Sequence, residues 1–254
     1  MERKINMIPK KIHYCWFGGK KLPRKAIKCI KSWKKYFPDY EIIEWNESNF
    51  DMNCCDYVKD AYKEGKYAFV SDFARLKIIY DEGGIYFDTD VEVIKKFDCI
   101  IEENGFMGIE QIKNNEITVN PGLGFAAPKG SEIIKSMYER YLNMKFEYRE
   151  KNTTTIVQIA TECLKRYNLE NKNEIQKINE ITVYPKEYFN PINMENYRIE
   201  KTDNTYSIHL FCGSWVSNCT KARKKVYIII TNIFGTKVAH YIQSKIARKN
   251  KNVE

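Results

Sequence analysis

Residues 83–94 read GGIYFDTDVEVI, in which a short apolar segment runs directly into an Asp-X-Asp motif. The glycine pair ends a preceding helix, and the apolar residues after it predict a buried strand. Alternation along that strand puts Asp88 and Asp90 on one face and Thr89 on the other. Two crowded carboxylates are costly unless a positive group neutralises them. The motif therefore favours a site for Mg²⁺ or Mn²⁺, although a solvated strand end is also compatible with these three residues.

The segment before this strand predicts a helix over residues 72–81, with Ser71 as its N-cap. Asp72 and Arg75 are spaced i, i+3 and share one face of that helix. The pair is compatible with a mutual surface ion pair. Near a metal-diphosphate site, Arg75 could instead grip a phosphate or sugar oxygen while Asp72 accepts sugar hydroxyls. Spacing alone leaves both alternatives open.

Working outward, strand patterns alternate with helix patterns along most of the chain. The predicted strands cover residues 11–17, 40–45, 85–87, 106–109, 123–127, 181–184 and 206–211. The predicted helices cover residues 23–36, 57–64, 72–81, 131–145 and 154–167. This alternation indicates an α/β domain with a largely parallel or mixed sheet. A length of 254 residues fits one such domain with a small appendage.

Charge is distributed unevenly over the chain, whose net charge is +9. Residues 1–35 carry a balance of +11 and residues 221–254 a balance of +8, so residues 36–220 carry −10. Uniform coating by nucleic acid fits an acidic body poorly, whereas one basic face toward an anionic surface fits it better. From residue 221 onward the composition becomes basic and helical. We therefore expect one main domain over residues 1–220 and a basic amphipathic helix over residues 221–254.

Apolar residues in the basic tail recur every four positions and predict one helical stripe. Its members are Val226, Ile230, Phe234, Val238, Ile242 and Ile246. One interpretation packs this stripe onto the domain, with the lysines facing water. The other is an interfacial helix that holds the protein on an anionic cytoplasmic leaflet.

The eight cysteines form no C-x-x-C pair and no Cys/His zinc spacing, as expected for reduced thiols of an intracellular protein. The N-terminus lacks the apolar stretch of a signal peptide, and no run reaches the ~20 apolar residues of a membrane span. The sequence therefore predicts a cytoplasmic protein, with peripheral contact at the inner face of the membrane if the tail binds lipid.

Two further residues are ambiguous from the sequence alone. His209 lies in YSIHLF and is compatible with either a buried core histidine or a metal ligand. Trp16 ends the first predicted strand beside Gly18-Gly19, where it could pack in the core or offer a flat face to a nucleobase. The chain contains no Walker A motif and no G-x-S-x-G elbow.

Four segments together resemble a known family. They are IPKKIHYCWFGG (8–19), YAFVSDFARLKIIYDEGGIYFDTDVEVI (67–94), NPGLGFAAPKG (120–130) and HLFCGSW (209–215). In this order they look like the DXD-containing sugar transferases of glycosyltransferase family 32, which include bacterial capsular-polysaccharide and yeast mannosyl transferases. A more distant similarity runs to the clostridial glucosylating toxins. The resemblance implies a GT-A fold, in which a Rossmann-like nucleotide half is fused to an acceptor half, and a nucleoside-diphosphate sugar bound with Mn²⁺ or Mg²⁺.

The same resemblance assigns roles to individual residues. It implies Trp16 on the base, Asp72 and Arg75 on the donor sugar, Asp88 on the ribose or sugar, Asn120 near the sugar pocket, and Ser214 and Trp215 on the diphosphate. It implies Asp90 and His209, together with Asp88, as the metal ligands. Asp72, Arg75, Asp88 and Asp90 are the expected catalytic residues.

The resemblance also implies transfer with retention of anomeric configuration. No residue of this sequence is defensible as a covalent nucleophile, so we expect front-face attack in which the leaving diphosphate helps to deprotonate the acceptor. The expected enzyme is a hexosyltransferase that acts on a saccharide or lipid-linked acceptor in surface polysaccharide synthesis.

Two other classes remain open at this level. A metal-dependent phosphohydrolase also begins with an apolar strand and Asp-X-Asp, but Glu92 occupies the position where such enzymes usually carry Thr or Val. Only the two basic ends of the chain favour a non-enzymatic nucleic-acid binder. Salt-sensitive retention on DNA would support this interpretation.

Overall fold

The computed structural model describes residues 7–102, 104–148, 154–193 and 195–213, and parts of the tail at 222, 226–231, 234–236 and 238. Ten strands lie in this part of the chain: β1 (Lys11–Cys15), β2 (Glu41–Trp45), β3 (Gly84–Tyr86), β4 (Val91–Val93), β5 (Gly105–Lys113), β6 (Glu116–Val119), β7 (Phe125–Ala127), β8 (Gln176–Ile178), β9 (Ile181–Tyr184) and β10 (Ser207–His209). The helices are α1 (Arg24–Tyr36), α2 (Asp56–Lys63), α3 (Tyr67–Glu82), α4 (Asp98–Ile101), α5 (Glu132–Leu142), α6 (Ile156–Arg166) and α7 (Lys186–Phe189).

The main sheet has eight strands in the order β2-β1-β3-β7-β5-β9-β8, with β6 paired to β5. Strands β2, β1 and β3 are parallel, β7 is antiparallel to both β3 and β5, and β5 is parallel to β9. The carboxyl ends of β1, β3 and β5 therefore meet at one edge of the sheet. The predicted α/β class with a mixed sheet is confirmed.

Side chains of the sheet alternate between two apolar layers. Ile12 of β1 and Ile85 of β3 pack on one face with Trp33 of α1. Tyr86 of β3 and Met107 of β5 pack on the other face with the helices α2, α3, α5 and α6. A sheet covered on both faces explains why its strands read as apolar runs.

A second, two-stranded sheet pairs β4 with β10 in antiparallel register, with His209 opposite Val91. It lies against α1, where the indole N–H of Trp33 donates to the carbonyl oxygen of Val91 at 2.8 Å. This pairing brings the last described strand of the domain back to the Asp-X-Asp segment.

Two details of the predicted elements are wrong. The helix expected from Ser71 begins instead at Tyr67, because Val70 is fully buried in the same core as Phe73 and this apolar contact outweighs the capping preference of serine. The strand expected to carry Asp88 and Asp90 on one face ends at Tyr86.

A turn, not strand alternation, therefore orients both carboxylates.

The predicted end of the helix α3 at the glycine pair is correct. Gly83 and Gly84 have φ values of 67° and 105°, and a Cβ on Gly84 would lie 2.7 Å from the carbonyl oxygen of Lys11.

The tail is helical at residues 226–231. The Tyr227 hydroxyl donates to the carbonyl oxygen of Glu195 at 3.3 Å. Three members of the predicted stripe are largely exposed: Val226 at 55%, Phe234 at 63% and Val238 at 41%. Ile242 and Ile246 lie outside the described residues, and the division at residue 220 stays a prediction. No helix within the described ranges is long and apolar enough to cross a bilayer.

Candidate active site

Chemistry-bearing side chains collect at the edge where the parallel strands end. Trp16 follows β1, Asp88 follows β3, Glu110 lies near the end of β5, and His209 ends β10. Ligands of open α/β sheets bind at this edge, because the loops beyond the carboxyl ends of the strands form a crevice there.

Asp88, Asp90 and His209 form the centre of the site. One ligand atom from each residue lies within 4.8 Å of the others. Nε2 of His209 is 3.0 Å from Oδ1 of Asp90 and 4.0 Å from Oδ2 of Asp88. The backbone N–H of Cys212 donates to Oδ2 of Asp90 at 2.7 Å and fixes that carboxylate.

The donor set fits a divalent cation of the Mn²⁺ or Mg²⁺ type, because two carboxylates and one imidazole converge there. Nδ1 of His209 is buried and has no hydrogen-bond partner within the described part of the chain. The three predicted metal ligands are thus brought together, and the identity of a bound metal stays a prediction.

The protonation of the centre follows from burial and pairing. Burial alone would lower the pKa of His209, but the charge and hydrogen bond of Asp90 outweigh it, so the pKa is raised. Burial opposes ionisation of Asp90, yet the His209 charge brings its pKa below the ordinary value. Burial dominates at Asp88 and raises its pKa, against the opposing charge of Arg75.

Arg75 joins the helix α3 to this centre. Its Nη2 lies 2.9 Å from Oδ1 of Asp72 and 3.2 Å from Oδ1 of Asp88, and its Nε–H donates to the carbonyl oxygen of Ser71 at 3.0 Å. The side chain is 5% exposed. The ion pair with Asp72 is therefore formed, but it is buried rather than on the surface, and Arg75 also pairs with Asp88. The role of Asp72 and Arg75 on a donor sugar stays a prediction.

Burial raises the pKa of Asp72 to about 7, with Arg75 acting in the opposite direction. A carboxyl group with this pKa is partly ionised and partly protonated near neutral pH. It can therefore accept a hydrogen bond from a hydroxylated ligand or donate one to it.

Asn120 follows β6 and lies beside Glu110 and Gly122. Its Oδ1 accepts from the backbone N–H of Gly122 at 2.7 Å, and its Nδ2 donates to Oε1 of Glu110 at 3.0 Å. Gly122 permits a close approach, because a Cβ there would lie 2.7 Å from Oδ2 of Asp88 and 2.9 Å from Oδ1 of Asn120. The structure thus brings Asn120 close to Asp88 by way of Gly122, and its predicted role near a sugar pocket stays a prediction.

Glu110 is a site residue that the sequence reasoning missed. The pairing of β5 with β6 shifts between Ile109 and Gln111, which is the signature of a β-bulge at Glu110. Burial raises the pKa of this carboxyl, and the charge of His209 opposes that rise. The available signal was an acidic residue at the end of the apolar run FMGIE, the same pattern that marks Asp88.

Trp16 is half-buried and packs against the α1 side of the core. Its indole N–H donates to the carbonyl oxygen of Lys20. The side chain is thus neither fully buried in the core nor fully exposed, and its role on a base stays a prediction.

Ser214 and Trp215 lie outside the described residues. Six described cysteines are free thiols: Cys15, Cys29, Cys54, Cys55, Cys99 and Cys163.

Comparison with known proteins bears on the segment that carries most of these residues. The family described as the glycosyltransferase sugar-binding region containing the DXD motif matches residues 23–107, which include Asp72, Arg75, Asp88 and Asp90. Residues 23–107 of this chain are therefore similar to that DXD-containing region. This match supports the glycosyltransferase assignment predicted from the sequence, and the mixed sheet around residues 84–127 agrees with the expected GT-A fold.

Curated relatives align with the DXD region and its surroundings. Subversion of eukaryotic traffic protein A of Legionella pneumophila is 33% identical over 164 residues, covering 51% of this chain and 24% of that protein. Inositol phosphoceramide mannosyltransferase 3 of Schizosaccharomyces pombe is 28% identical over 147 residues, covering 56% of this chain and 40% of that protein. The chain therefore spans less than half the length of these two relatives.

Among solved structures, the PaToxG glycosyltransferase aligns with a TM-score of 0.48 and 22% identity, covering 63% of this chain and 69% of that one.

Proposed function

We propose that this protein is a metal-dependent, retaining glycosyltransferase that moves a hexose from a nucleoside-diphosphate sugar to a saccharide or lipid-linked acceptor in surface polysaccharide synthesis. The observation that carries the proposal is the convergence of Asp88, Asp90 and His209 beside the buried Asp72–Arg75 pair. A bound divalent cation would supply Lewis-acid stabilisation of the leaving diphosphate.

The roles of the chain's own residues follow from their positions. Asp90 and His209, with Asp88, would hold the cation. Arg75 keeps Asp88 in place through two of its nitrogens. Asp72 would accept hydroxyls of the donor sugar, and Trp16 would stack on the base. Ser214 and Trp215 would contact the diphosphate, as in the family that the sequence resembles.

Retention is proposed through front-face attack. The leaving diphosphate would take the proton of the acceptor hydroxyl, since the acidic groups at the centre are committed to the cation and to Arg75. Glu110 is the one further carboxylate described at the site, and its hydrogen bond to Asn120 favours a role in positioning.

A panel of UDP- and GDP-sugars tests this function. Purified protein is incubated with each donor and either Mn²⁺, Mg²⁺ or a chelator, and release of the nucleoside diphosphate is measured. We expect hydrolysis of at least one donor with metal and none with chelator, and loss of this activity in Asp90→Asn. Metal-dependent cleavage of a phosphomonoester without any donor hydrolysis would instead favour the phosphohydrolase alternative.

The exposed tail residues support a proposal about where the enzyme acts. Val226, Phe234 and Val238 leave much of their apolar surface uncovered, and nine Lys/Arg lie within residues 221–254. Each basic residue near an anionic membrane contributes about 1 kcal/mol to binding. The name of the yeast mannosyltransferase relative refers to a lipid acceptor, which would suit an enzyme held at the inner face of a membrane.

Liposome flotation tests the membrane contact on the full-length chain. Val226→Ser, Phe234→Ser and Val238→Ser combined should reduce retention on vesicles that contain phosphatidylglycerol. The control combines Ile112→Ser and Ile175→Ser, which remove exposed apolar residues of the main domain. Equal retention of wild type and tail variant at physiological salt would contradict membrane binding. A variant ending at Cys219 should keep donor hydrolysis, and unfolding of that variant would favour the packed-helix interpretation.

A further inference from the structure

One buried asparagine joins the short helix α7 to the site. Asn190 follows α7 directly and is 0% exposed. Its Nδ2 donates to the carbonyl oxygen of Glu110 at 2.9 Å, across a separation of 80 residues in the sequence. Asn190 therefore contacts the backbone of a residue that lies at the edge of the site.

The backbone around Asn190 is itself held in place. Its N–H donates to the carbonyl oxygen of Lys186 at 2.9 Å. The Lys186 ammonium donates to the carbonyl oxygens of Asn190 at 3.0 Å and of Ile192 at 2.7 Å. The ring of Phe189 lies so close to β5 that a Cβ on Gly108 would be 2.7 Å from its Cδ2. The side chain of Asn190 thus reaches β5 from a fixed position.

The bulge in β5 is the part of the strand that Asn190 contacts. The pairing of β5 with β6 skips Glu110, between Ile109 and Gln111. The extra residue of a bulge is left out of the strand ladder. The side-chain amide of Asn190 thus supplies a hydrogen bond to the Glu110 carbonyl where the regular ladder is interrupted.

A continuous set of contacts leads from this bulge to the Asp-X-Asp segment. Oε1 of Glu110 accepts from Nδ2 of Asn120 at 3.0 Å, and Oδ1 of Asn120 accepts from the backbone N–H of Gly122 at 2.7 Å. Gly122 in turn lies against Asp88, because a Cβ there would be 2.7 Å from Oδ2 of that residue. A displacement of the bulge would therefore also displace the groups that lie beside Asp88.

Packing does not explain why this position holds an asparagine. Oδ1 of Asn190 is buried and has no hydrogen-bond partner among the residues that the structure describes. A buried acceptor without a partner destabilises a fold, and leucine would fill a similar volume without that loss. Leucine could not donate to the Glu110 carbonyl. The donor group is therefore the property that distinguishes asparagine here.

Resting on the proposed function, we infer that Asn190 is a positioning residue for sugar transfer, whose amide holds the β5 bulge so that Glu110 and Asn120 keep their places beside Asp88. Because Asn190 is fully buried, it acts through Glu110 and not on the substrate. The rate depends steeply on such placement, since a misplacement of about 1 Å can cost on the order of 10²-fold.

Asn190→Leu tests this role, because it removes the donor and nearly conserves the volume. Hydrolysis of the UDP- or GDP-sugar that wild type turns over with Mn²⁺ gives kcat and KM, and circular dichroism gives the melting temperature. We expect kcat to fall about 10- to 100-fold, with KM changed by no more than about two-fold and a melting temperature close to that of wild type. Asn193→Leu is the matched control, since its Nδ2 donates to Glu200 and not to β5, and it should leave kcat unchanged.

A double-mutant cycle with Glu110→Ala separates positioning from general support of the fold. If Asn190 acts through the Glu110 side chain, Asn190→Leu in the Glu110→Ala background should lower kcat no further. Lys186→Met is a second, independent variant, because it removes both bonds of the ammonium to the backbone at residues 190–192 and leaves β5 unchanged. We expect it to lower kcat as well, again without a change in KM.

The inference fails if Asn190→Leu folds and keeps the kcat of wild type, and the proposed function would then stand. Losses of kcat that multiply in the double variant would assign Asn190 to the general stability of the fold, and would also reject the inference. If Asn190→Leu does not fold, Lys186→Met decides, and an unchanged kcat in that variant is a rejection. A wild-type protein that hydrolyses no donor would overturn the proposed function and this inference together.

Discussion

His209 Nε2 and Asp90 Oδ1 lie 3.0 Å apart, in a contact that joins the end of β10 to the turn before β4. The contact places an imidazole beside two carboxylates. Neither the segment with Asp88 and Asp90 nor the segment with His209 defines this site alone.

Asp90→Asn removes a charged oxygen ligand with little change in volume, so we expect metal-dependent donor hydrolysis to fall by orders of magnitude with the fold intact. Asp88→Asn should be similarly severe, and His209→Ala should weaken binding of metal and nucleotide. Calorimetric titration with Mn²⁺ and circular dichroism measure the two properties separately. Asp60→Asn, exposed on α2, is the control. Near-wild-type turnover of Asp90→Asn at limiting Mn²⁺ would contradict the assignment.

Trp16→Ala should raise the dissociation constant of the free nucleoside diphosphate by roughly ten-fold or more, because base–aromatic stacking contributes about 1–3 kcal/mol. Trp16→Phe, which keeps an aromatic face, should be milder. Isothermal titration with UDP and GDP gives the comparison. Unchanged affinity in Trp16→Ala would assign this side chain to packing alone.

Gly122→Ala tests the close approach between Gly122 and Asp88. A methyl group there would lie 2.7 Å from Oδ2 of Asp88, so that carboxylate has to move. We expect weaker Mn²⁺ binding and lower kcat. A Mn²⁺ affinity equal to that of wild type would mean that the site tolerates this displacement.

Glu110→Ala should lower kcat for transfer more than it changes donor KM, because it releases the Nδ2 group of Asn120. A misplacement of about 1 Å can cost on the order of 10²-fold in rate. Glu110→Gln keeps an acceptor oxygen for Asn120 and should retain most activity. Equal loss in the two variants would instead indicate that the charge of Glu110 matters.

His13 should make the fold sensitive to acid. The indole N–H of Trp45 donates to Nδ1 of His13 at 3.0 Å, so Nε2 carries the proton and donates to the carbonyl oxygen of Gly83 at 3.0 Å. Burial lowers the pKa of His13 to about 4. The folded state therefore binds fewer protons than the unfolded state. Its stability contribution is present above pH 6.5 and is lost as the pH falls toward 4, by about 3 kcal/mol in total.

Urea unfolding of wild type and His13→Gln between pH 7 and pH 4 measures this dependence. Glutamine can serve both hydrogen-bond partners but does not titrate, so the variant should show a shallower loss of unfolding free energy. Parallel pH profiles for the two proteins would contradict the prediction.

The sequence was informative where short-range patterns decide the structure. The glycine pair after α3 and the apolar run before Asp88 fixed a helix end and a strand, and the Asp-X-Asp spacing indicated a cation site. The pairing of strands that lie far apart in the sequence was harder to predict. The contact of His209 with Asp90 depends on β10 returning to β4, and the ligand role of His209 came from family resemblance, since a histidine within a strand pattern fits a core position equally well.

Other features could not be read from local patterns. The start of α3 at Tyr67 depends on tertiary burial of Val70, which a capping rule does not include. Glu110 depends on a bulge in β5, and periodicity assumes a regular strand.

The pairing of β10 with β4 also has a consequence for the order in which the protein matures. On the ribosome, Asp88 and Asp90 emerge well before His209, and chain growth proceeds at about 5–20 residues per second. A nascent chain that has not yet released β10 holds two carboxylates without the imidazole. The cation would therefore bind the finished domain more tightly than any growing intermediate, and this preference stabilises the completed fold through mass action. Under the proposed function, turnover of the sugar nucleotide would begin only after β10, the last strand in the described part of the chain, has paired with β4.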